Sequence, residues 1–256
     1  MKERMRYECR YVETESGIVK WEEIMSNDLR EVVTGGKPRL QTRFRACWTA
    51  DALHIRFECE DDHVVATMER RDDPIYLEDV VEVFIDKSGT GAVYYEFEVS
   101  PRNVVFDALI HYNGGDKEVD VAWDAKGMYT QVSDGADGWR TYELRIPFAD
   151  LDWEQGREQP EQEQEQGREP EQEQERGREQ GREQKQKLEQ KQEQGQMQMR
   201  ERGEDRTPQH GAEWRWNLYR IDDDLEGNRH YWAWSPTGKV DFHMPHRFGI
   251  LVFVKE

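Results

Sequence analysis

The fold is decided by the stretch YLEDVVEVFID, which occupies residues 76–86. Its second half alternates with a period of two, so that Val81 and Val83 point to one side while Glu82 and Phe84 point to the other. This period is typical of a β-strand, and apolar residues on both sides predict a strand that is covered on both faces. The stretch therefore predicts a buried strand with a carboxylate in its middle.

Strand-like alternation recurs through most of the chain, and no long amphipathic helix is predicted. Turn-rich segments such as 87–91, 113–116 and 134–138 separate the alternating runs, and residues 21–30 are a weak helical candidate. Many short strands with regular turns predict an all-β protein, built as a sandwich or a barrel. The predicted strands are residues 44–48, 53–59, 80–86, 94–99, 104–110, 139–146, 214–220 and 248–254.

Residues 154–206 differ in kind from the rest of the chain. They are almost all Glu, Gln, Arg, Lys and Gly, with near-repeats of Glu-Gln-Gly-Arg-Glu. Such a sequence cannot bury enough apolar surface to offset the entropy lost on ordering. We therefore predict that residues 1–153 and 207–256 together form one β-sandwich domain. The Glu/Gln/Arg-rich stretch at 154–206 is predicted to be a disordered insert in a surface loop.

The charge balance bears on the partners that the chain can have. The formal net charge is -19, whereas a nucleic-acid-binding protein is expected to show a basic footprint. Anionic membrane surfaces likewise attract Lys and Arg, so neither nucleic acid nor membrane is expected as a partner. No segment approaches the roughly 20 apolar residues that span a bilayer. No signal peptide is evident either, and the chain as written is expected to be cytoplasmic.

Three aromatic residues are candidates for ligand contact because they are predicted to lie in or beside loops. Tyr76 precedes the strand at 80–86, while Trp232 and Trp234 precede a Ser-Pro-Thr-Gly turn. Facing rings can hold a sugar, because its C–H faces are apolar while its hydroxyls need hydrogen bonds. Alternatively, these rings cover the end of the core.

Glu82 is the candidate polar contact of such a site. A carboxylate in the middle of a sheet needs a hydrogen-bonding or charged partner. Glu82 could accept two hydroxyls of a sugar, or it could pair with Arg145 or Arg220. A glycosidase needs two carboxyl groups that flank one bond, and no local motif singles out such a pair. No catalytic residue is therefore predicted.

An acidic segment offers the candidate metal ligands. Asp222 and Asp224, with Asn228 nearby, present the hard oxygen ligands that calcium prefers. The alternative is a solvated acidic turn. The sequence contains no EF-hand loop, Gly-rich phosphate loop, Gly-x-Ser-x-Gly elbow or Cys-x-x-Cys pair.

Five motifs follow one another in the chain. They are W-x4-L-x-I-x-F-x-C-x-D at residues 48–61, D-x-V-E-V-F-I-D at 79–86, W-x2-Y-E-L-x-I-P-F at 139–148, W-N-x2-R at 216–220 and P-x2-F-G at 245–249. In this order they resemble the family 9 carbohydrate-binding module and its wider DOMON-like relatives. The resemblance covers nearly all of the chain outside the insert, and it implies a jelly-roll-like antiparallel β-sandwich.

The resemblance also implies a sugar site in which two rings clamp the ligand, here Tyr76 and Trp234, above the family's strand glutamate, here Glu82. On the next strand, Glu98 and Ser100 stand where the best-known members offer an arginine and an asparagine. The predicted sugar-binding residues are Tyr76, Glu82, Trp234, Trp232, Asn217 and Arg220.

The sequence thus predicts a non-catalytic carbohydrate-binding module for oligo- or polysaccharides, and the resemblance implies that it binds the ends of plant-type glucan or xylan chains. No cofactor is required, although the resemblance implies structural calcium, for which Asp222 and Asp224 are the candidates. Two alternatives remain open. One is a glycoside hydrolase-type enzyme that uses a carboxylate pair, and the other is a haem-binding DOMON-like domain with Met and His ligands.

Overall fold

A computed structural model describes residues 4–14, 17–136, 138–152 and 207–255. Their strands are β1 (Arg6–Tyr11), β2 (Asn27–Asp28), β3 (Arg30–Glu31), β4 (Thr42–Trp48), β5 (Ala52–Glu60), β6 (Val80–Asp86), β7 (Val93–Val99), β8 (Val105–Asn113), β9 (Asp116–Asp120), β10 (Tyr129–Asp134), β11 (Trp139–Pro147), β12 (Glu213–Asp223), β13 (Arg229–Ala233) and β14 (Gly249–Val254). All eight predicted strands are present, and the all-β prediction is confirmed.

Two other predictions have different outcomes. The helical candidate at 21–30 is wrong, because Trp21–Glu23 forms a single 3-10 turn and is followed by the short strands β2 and β3. The insert predicted at 154–206 lies outside the described residues. Residues 4–151 and 208–255, on either side of it, belong to one compact unit. None of the helical segments in the described ranges has the length and apolar character needed to cross a membrane.

The described strands form one sheet that curls into a sandwich. The main path runs in the order β10-β11-β5-β4-β1-β14-β12-β6-β7-β8-β9. Neighbours pair antiparallel, except that β1 runs parallel to both β14 and β4. The curl brings β4 against β12, so that the ring of Phe44 lies 5.6 Å from the ring of Trp216 at 84°. This contact belongs to the core between the two halves of the sheet.

Strand β6 lies between β12 and β7 and has two buried faces. Val83 pairs with Leu218 and Phe97, whereas Glu82 pairs with Tyr219 and Glu98. Because paired residues in a sheet share a face, Val83 belongs to the apolar side and Glu82 belongs to a side that also carries glutamates. The alternation predicted for residues 80–86 is therefore confirmed.

Asp86 fixes the loop that joins β6 to β7. Its carboxylate accepts hydrogen bonds from the N–H groups of Gly89 and Gly91 and from the Ser88 hydroxyl, each at 2.8 Å. Gly91 has a φ of 79°, a conformation that glycine adopts without steric cost. The register of a hairpin follows from its loop, so this capped loop sets Glu82 opposite Glu98.

Candidate ligand-binding site

The described residues enclose a cavity of about 580 Å³ against the Glu82 face of β6 and β7. Its volume lies within the range of about 300–1,000 Å³ that is typical of small-molecule sites. The segment that follows β13 covers part of it with Asp241, Phe242 and His243. Most of the wall is apolar or aromatic, formed among others by Tyr76, Phe106, Val119, Ile221, Tyr231 and Phe242.

Three buried glutamates line this cavity. Glu82 on β6 pairs with Glu98 on β7, and Glu96 lies two residues earlier on the same face of β7. One carboxyl oxygen from each of the three lies within 4.8 Å of the other two. Successive odd or even positions of a strand share a face, so the Glu-x-Glu spacing of β7 places both carboxyl groups beside Glu82.

Burial and mutual repulsion keep protons on these carboxyl groups. Burial raises the pKa of Glu82 well above its ordinary value, and the neighbouring Glu96 carboxylate raises it further. Burial also raises the pKa of Glu98, with Glu82 and Glu96 adding to the effect. The pKa of Glu96 is raised to about 7 by burial, with Lys117 acting in the opposite direction. Glu82, Glu96 and Glu98 form the floor of the cavity. This floor can therefore donate hydrogen bonds as well as accept them near neutral pH.

His243 stands beside the glutamates without neutralising them. Its Nδ1 lies 2.9 Å from the hydroxyl of Tyr94, and its Nε2 lies 3.8 Å from Oε1 of Glu96. Burial lowers the pKa of His243 to about 4, so the ring is neutral at pH 7. Lys117 from β9 is the only cationic side chain among the described residues that line the cavity.

Tyr76 lies in the cavity wall. It belongs to the 3-10 turn Ile75–Leu77 and is 42% exposed. Its ring meets the ring of Phe106 edge to face, with centroids 5.7 Å apart at 80°. Tyr76 and Glu82 are the two predicted sugar-binding residues that the structure brings into one cavity.

Trp234 does not take the position expected for the second ring that clamps a sugar. It is 0% exposed, and its ring packs against Tyr7, Phe44 and Trp216 at centroid distances of 6.5, 5.9 and 5.7 Å. Gly249 permits this position, because a Cβ there would lie 2.7 Å from Cη2 of Trp234. Trp234 is therefore a core residue and does not line the cavity.

Trp232 is also buried, for a different reason. It lies on β13, where the imidazole of His230 stacks on it at 6.2 Å and the guanidinium of Arg220 lies 4.8 Å from its ring centre. A guanidinium over an indole face is a favourable cation–π contact. Trp232 is 1% exposed and does not line the cavity, so the structure does not bring it to the candidate site.

Asn217 and Arg220 have structural partners of their own and do not line the cavity. The Asn217 amide donates to the Ser235 carbonyl at 2.9 Å and accepts from the Ser235 N–H at 2.9 Å. Arg220 donates to the Thr42 hydroxyl at 3.0 Å and to the Asp222 carboxylate. The predicted rim roles are therefore replaced by roles in holding the loop after β13 and the buried charge network.

Asp222 and Asp224 do not fit a calcium ion. The fully buried Asp222 carboxylate accepts from Arg220 and from Arg39, the latter at 2.7 Å. Asp224 accepts from the Asn228 N–H at 2.8 Å and lies 2.9 Å from Nε2 of His230. Cationic and N–H donors thus occupy the oxygens that a metal would need, and we place no metal at this pair.

Ser100 also has a structural role. Its hydroxyl accepts hydrogen bonds from the N–H groups of Arg102 and Val104, at 3.3 and 3.2 Å, and so closes the turn between β7 and β8. Of the two departures from the family pattern, Glu98 therefore lies in the cavity and Ser100 does not.

Several lining residues were not predicted. Glu96 could have been predicted from the sequence, because it shares the alternation that places Glu98 beside Glu82. No local alternation pattern indicated the other four, which are Lys117, Tyr231, Phe242 and His243. They come from β9, β13 and the segment after β13, and only the long-range pairing of the sheet brings them to the cavity.

A β-sandwich with a cavity of mixed aromatic and polar lining against one sheet face defines a small-ligand binding domain. The chain belongs to the family described as carbohydrate family 9 binding domain-like, which matches residues 19–256. This match confirms the predicted family, and with it the prediction of a carbohydrate-binding module rather than an enzyme.

Solved structures share the fold over nearly the whole chain. A family 9 carbohydrate-binding module from Caldicellulosiruptor kristjanssonii in complex with glucose has a TM-score of 0.57 and 14% identity, covering 98% of this chain and 97% of that one. Its complex with cellotriose gives 0.58 and 15%, covering 98% and 95%. A Bacteroides uniformis protein, provisionally described as carbohydrate-binding, gives 0.62 and 16%, covering 98% and 99%. At these identities the similarity shows the fold alone.

A curated relative is similar over part of the chain. It is an extracellular protein of Arthroderma benhamiae, 29% identical over 142 residues, which are 50% of this chain and 63% of that protein. The match thus covers less than two thirds of the relative's length.

Proposed function

We propose that this non-catalytic carbohydrate-binding module takes its sugar into the cavity above Glu82. The observation that carries the proposal is the position of Glu82, the residue that matches the family's strand glutamate. It lies in a cavity of about 580 Å³ that Tyr76 also lines. The two features that the resemblance implies for sugar contact, a ring and a carboxyl group, therefore meet in one place.

In this proposal the ring of Tyr76 packs on a C–H face of the sugar. Tyr231, which is partly buried and lines the same cavity, replaces Trp234 as the second aromatic contact. An aromatic ring stacked on a ligand contributes through buried apolar area and leaves the hydroxyls free for hydrogen bonds. Tyr76 is accessible enough for this, being 42% exposed.

The carboxyl groups supply the polar half of recognition. Sugar hydroxyls both donate and accept hydrogen bonds, and carboxyl groups that hold some of their protons can do the same. Glu82 and Glu98 are paired across β6 and β7, so one sugar edge can contact both. We propose the ends of glucan or xylan chains as ligands, because the cavity has room for a terminal sugar unit.

Isothermal titration calorimetry with glucose, cellobiose, xylobiose and glucosamine tests the proposal. We expect binding of at least one of these sugars, and we expect Tyr76→Ala and Glu82→Gln to weaken it by about tenfold or more, equivalent to about 1.4 kcal/mol. Tyr129→Ala is the matched control, because Tyr129 is an exposed ring on β10 that does not line the cavity. No heat with any sugar at millimolar concentration would overturn the proposal, as would unchanged affinity in both variants.

A further inference from the structure

The floor of the cavity is more acidic than a neutral sugar requires. Glu82, Glu96 and Glu98 bring three carboxyl groups together, Lys117 is the only cationic residue among the described lining residues, and His243 is neutral at pH 7. We infer that the cavity selects a carbohydrate that carries a protonated primary amine, as a 2-amino sugar does. This inference rests on the proposed function and names the class of sugar.

The spacing of the carboxyl oxygens suits an ammonium group. One oxygen from each glutamate lies within 4.8 Å of the other two. An ammonium group has three N–H donors in a tetrahedral arrangement. At a donor–acceptor distance of about 2.8 Å, three acceptors around it lie about 4.6 Å apart. Since 4.8 Å is the upper limit of the oxygen–oxygen separations, a single amine has one oxygen of each glutamate within reach when it replaces the hydrogen bond between Glu96 and Glu98.

Glu98 gives an independent sign that a donor is expected from the ligand. It is only 1% exposed, and although its side chain hydrogen-bonds to Glu96, its buried Oε2 has no hydrogen-bond partner among the described residues. Its neighbours across the sheet are Glu82 on β6 and Phe106 on β8, and Phe106 has no donor to offer. A buried acceptor left unpaired is costly, and an amine in the cavity supplies the missing donor.

The walls favour an organic cation over a bare metal ion. The space above the glutamates is bounded by Phe106, Ile221 and Phe242 and totals about 580 Å³, many times the volume of an ion. Calcium takes six to eight oxygen ligands, whereas these walls present hydrocarbon. A sugar ring fills the apolar volume while its amine reaches the acidic floor.

Titration calorimetry near pH 7 in the presence of EDTA, with glucosamine, glucose and N-acetylglucosamine, tests the inference. Glucosamine should bind about tenfold or more tightly than glucose, because hydrogen bonds to charged groups are stronger than neutral ones. N-acetylglucosamine keeps the ring but loses the charge, so it should not share the advantage. Binding of the amine should also release protons from the carboxyl cluster, which titrations in two buffers of different ionisation enthalpy detect.

Glu98→Gln should bring the affinity ratio of glucosamine to glucose close to one. Glu96→Gln is a second variant that tests the same cluster if Glu98→Gln does not fold. Glu118→Gln is the matched control, because Glu118 is an exposed glutamate on β9 that does not line this cavity. It should leave the ratio as in the wild type.

The outcomes separate this inference from the proposed function. Equal affinity for glucose and glucosamine in the wild type overturns the inference and leaves the proposed function standing. No binding of any sugar overturns both. In a separate titration with calcium chloride and no EDTA, calcium binding that disappears in Glu98→Gln assigns the three glutamates to a metal and also overturns the inference. A preference for glucosamine that Glu98→Gln removes and Glu118→Gln keeps supports it.

Discussion

The buried carboxyl cluster predicts that Glu98→Gln gains stability relative to the wild type as the pH rises from about 6 to about 8. Burial raises the pKa of Glu98 well above 4.5, so the folded chain holds a proton there that the unfolded chain has already released. The stability that comes from this raised pKa is complete below the unfolded value. It is lost as the pH rises through the folded value.

The magnitude follows from one proton. A folded state that binds one proton more than the unfolded state loses about 1.36 kcal/mol of stability per pH unit. Across the pH range in which the folded chain keeps this proton and the unfolded chain does not, the wild type loses stability at up to this slope, and glutamine at position 98 does not incur the loss. Burial lowers the pKa values of His54 and His243 to about 4. Their contributions are present in both proteins and cancel in the comparison.

Urea denaturation followed by tryptophan fluorescence at about pH 6, 7 and 8 measures the difference in the free energy of unfolding. Glu118→Gln on the exposed face of β9 should run parallel to the wild type at all three pH values. If Glu98→Gln also runs parallel to the wild type, Glu98 titrates as a solvated glutamate. The reasoning that burial raises the pKa of Glu98 would then be refuted.

Three other variants test the packing around the site. Trp234→Ala should lower the free energy of unfolding by about 3–5 kcal/mol, because it empties a buried ring position, while sugar affinity in calorimetry stays unchanged. Gly249→Ala should lower it by about 1–3 kcal/mol in urea denaturation, since the new Cβ would overlap Trp234. Asp222→Asn should lower it by about 1–3 kcal/mol, because Arg220 then keeps only the Asp61 carboxylate, at 4.0 Å, as an anionic partner. Added calcium should leave the melting temperatures of the wild type and of Asp222→Asn unchanged. A rise with calcium in the wild type that Asp222→Asn lacks would contradict the conclusion that Asp222 and Asp224 hold no metal.

The parts of the fold that local patterns specify were predictable. Alternation alone assigned Glu82 and Val83 to opposite faces of β6, and the structure confirms this through the pairing with β12 and β7. Strand β13 was not predicted. It is short and mixes charged and aromatic residues. It pairs with β12, which directly precedes it, and with the two-residue strand β3, which is distant in sequence.

Trp234 shows where sequence reasoning about the site failed. Its position before a Ser-Pro-Thr-Gly turn indicated an exposed loop ring. Instead the backbone N–H of Trp234 donates to the Leu218 carbonyl at 2.9 Å. This hydrogen bond continues the pairing with β12 and leaves the ring on the core side. The absence of a side chain at Gly249 leaves the room that the ring of Trp234 occupies. Which side a ring takes at the end of a strand depends on these long-range contacts, and neither of them has a local signature.

The acidic floor was partly predictable. Glu98 was identified as a departure from the family pattern, and alternation would have added Glu96 on the same face. The register between β6 and β7, fixed by the Asp86-capped loop, decides that both lie beside Glu82. The cover of the cavity, including His243, could not be predicted, because it depends on where the segment after β13 folds back.

A crystal structure of the protein with glucosamine or cellobiose bound tests the central claim most directly. The account predicts a sugar ring in the cavity, packed against Tyr76, with a polar group within about 3 Å of the Glu82 carboxyl oxygens. A sugar bound at another surface, with this cavity free of ligand, would contradict it.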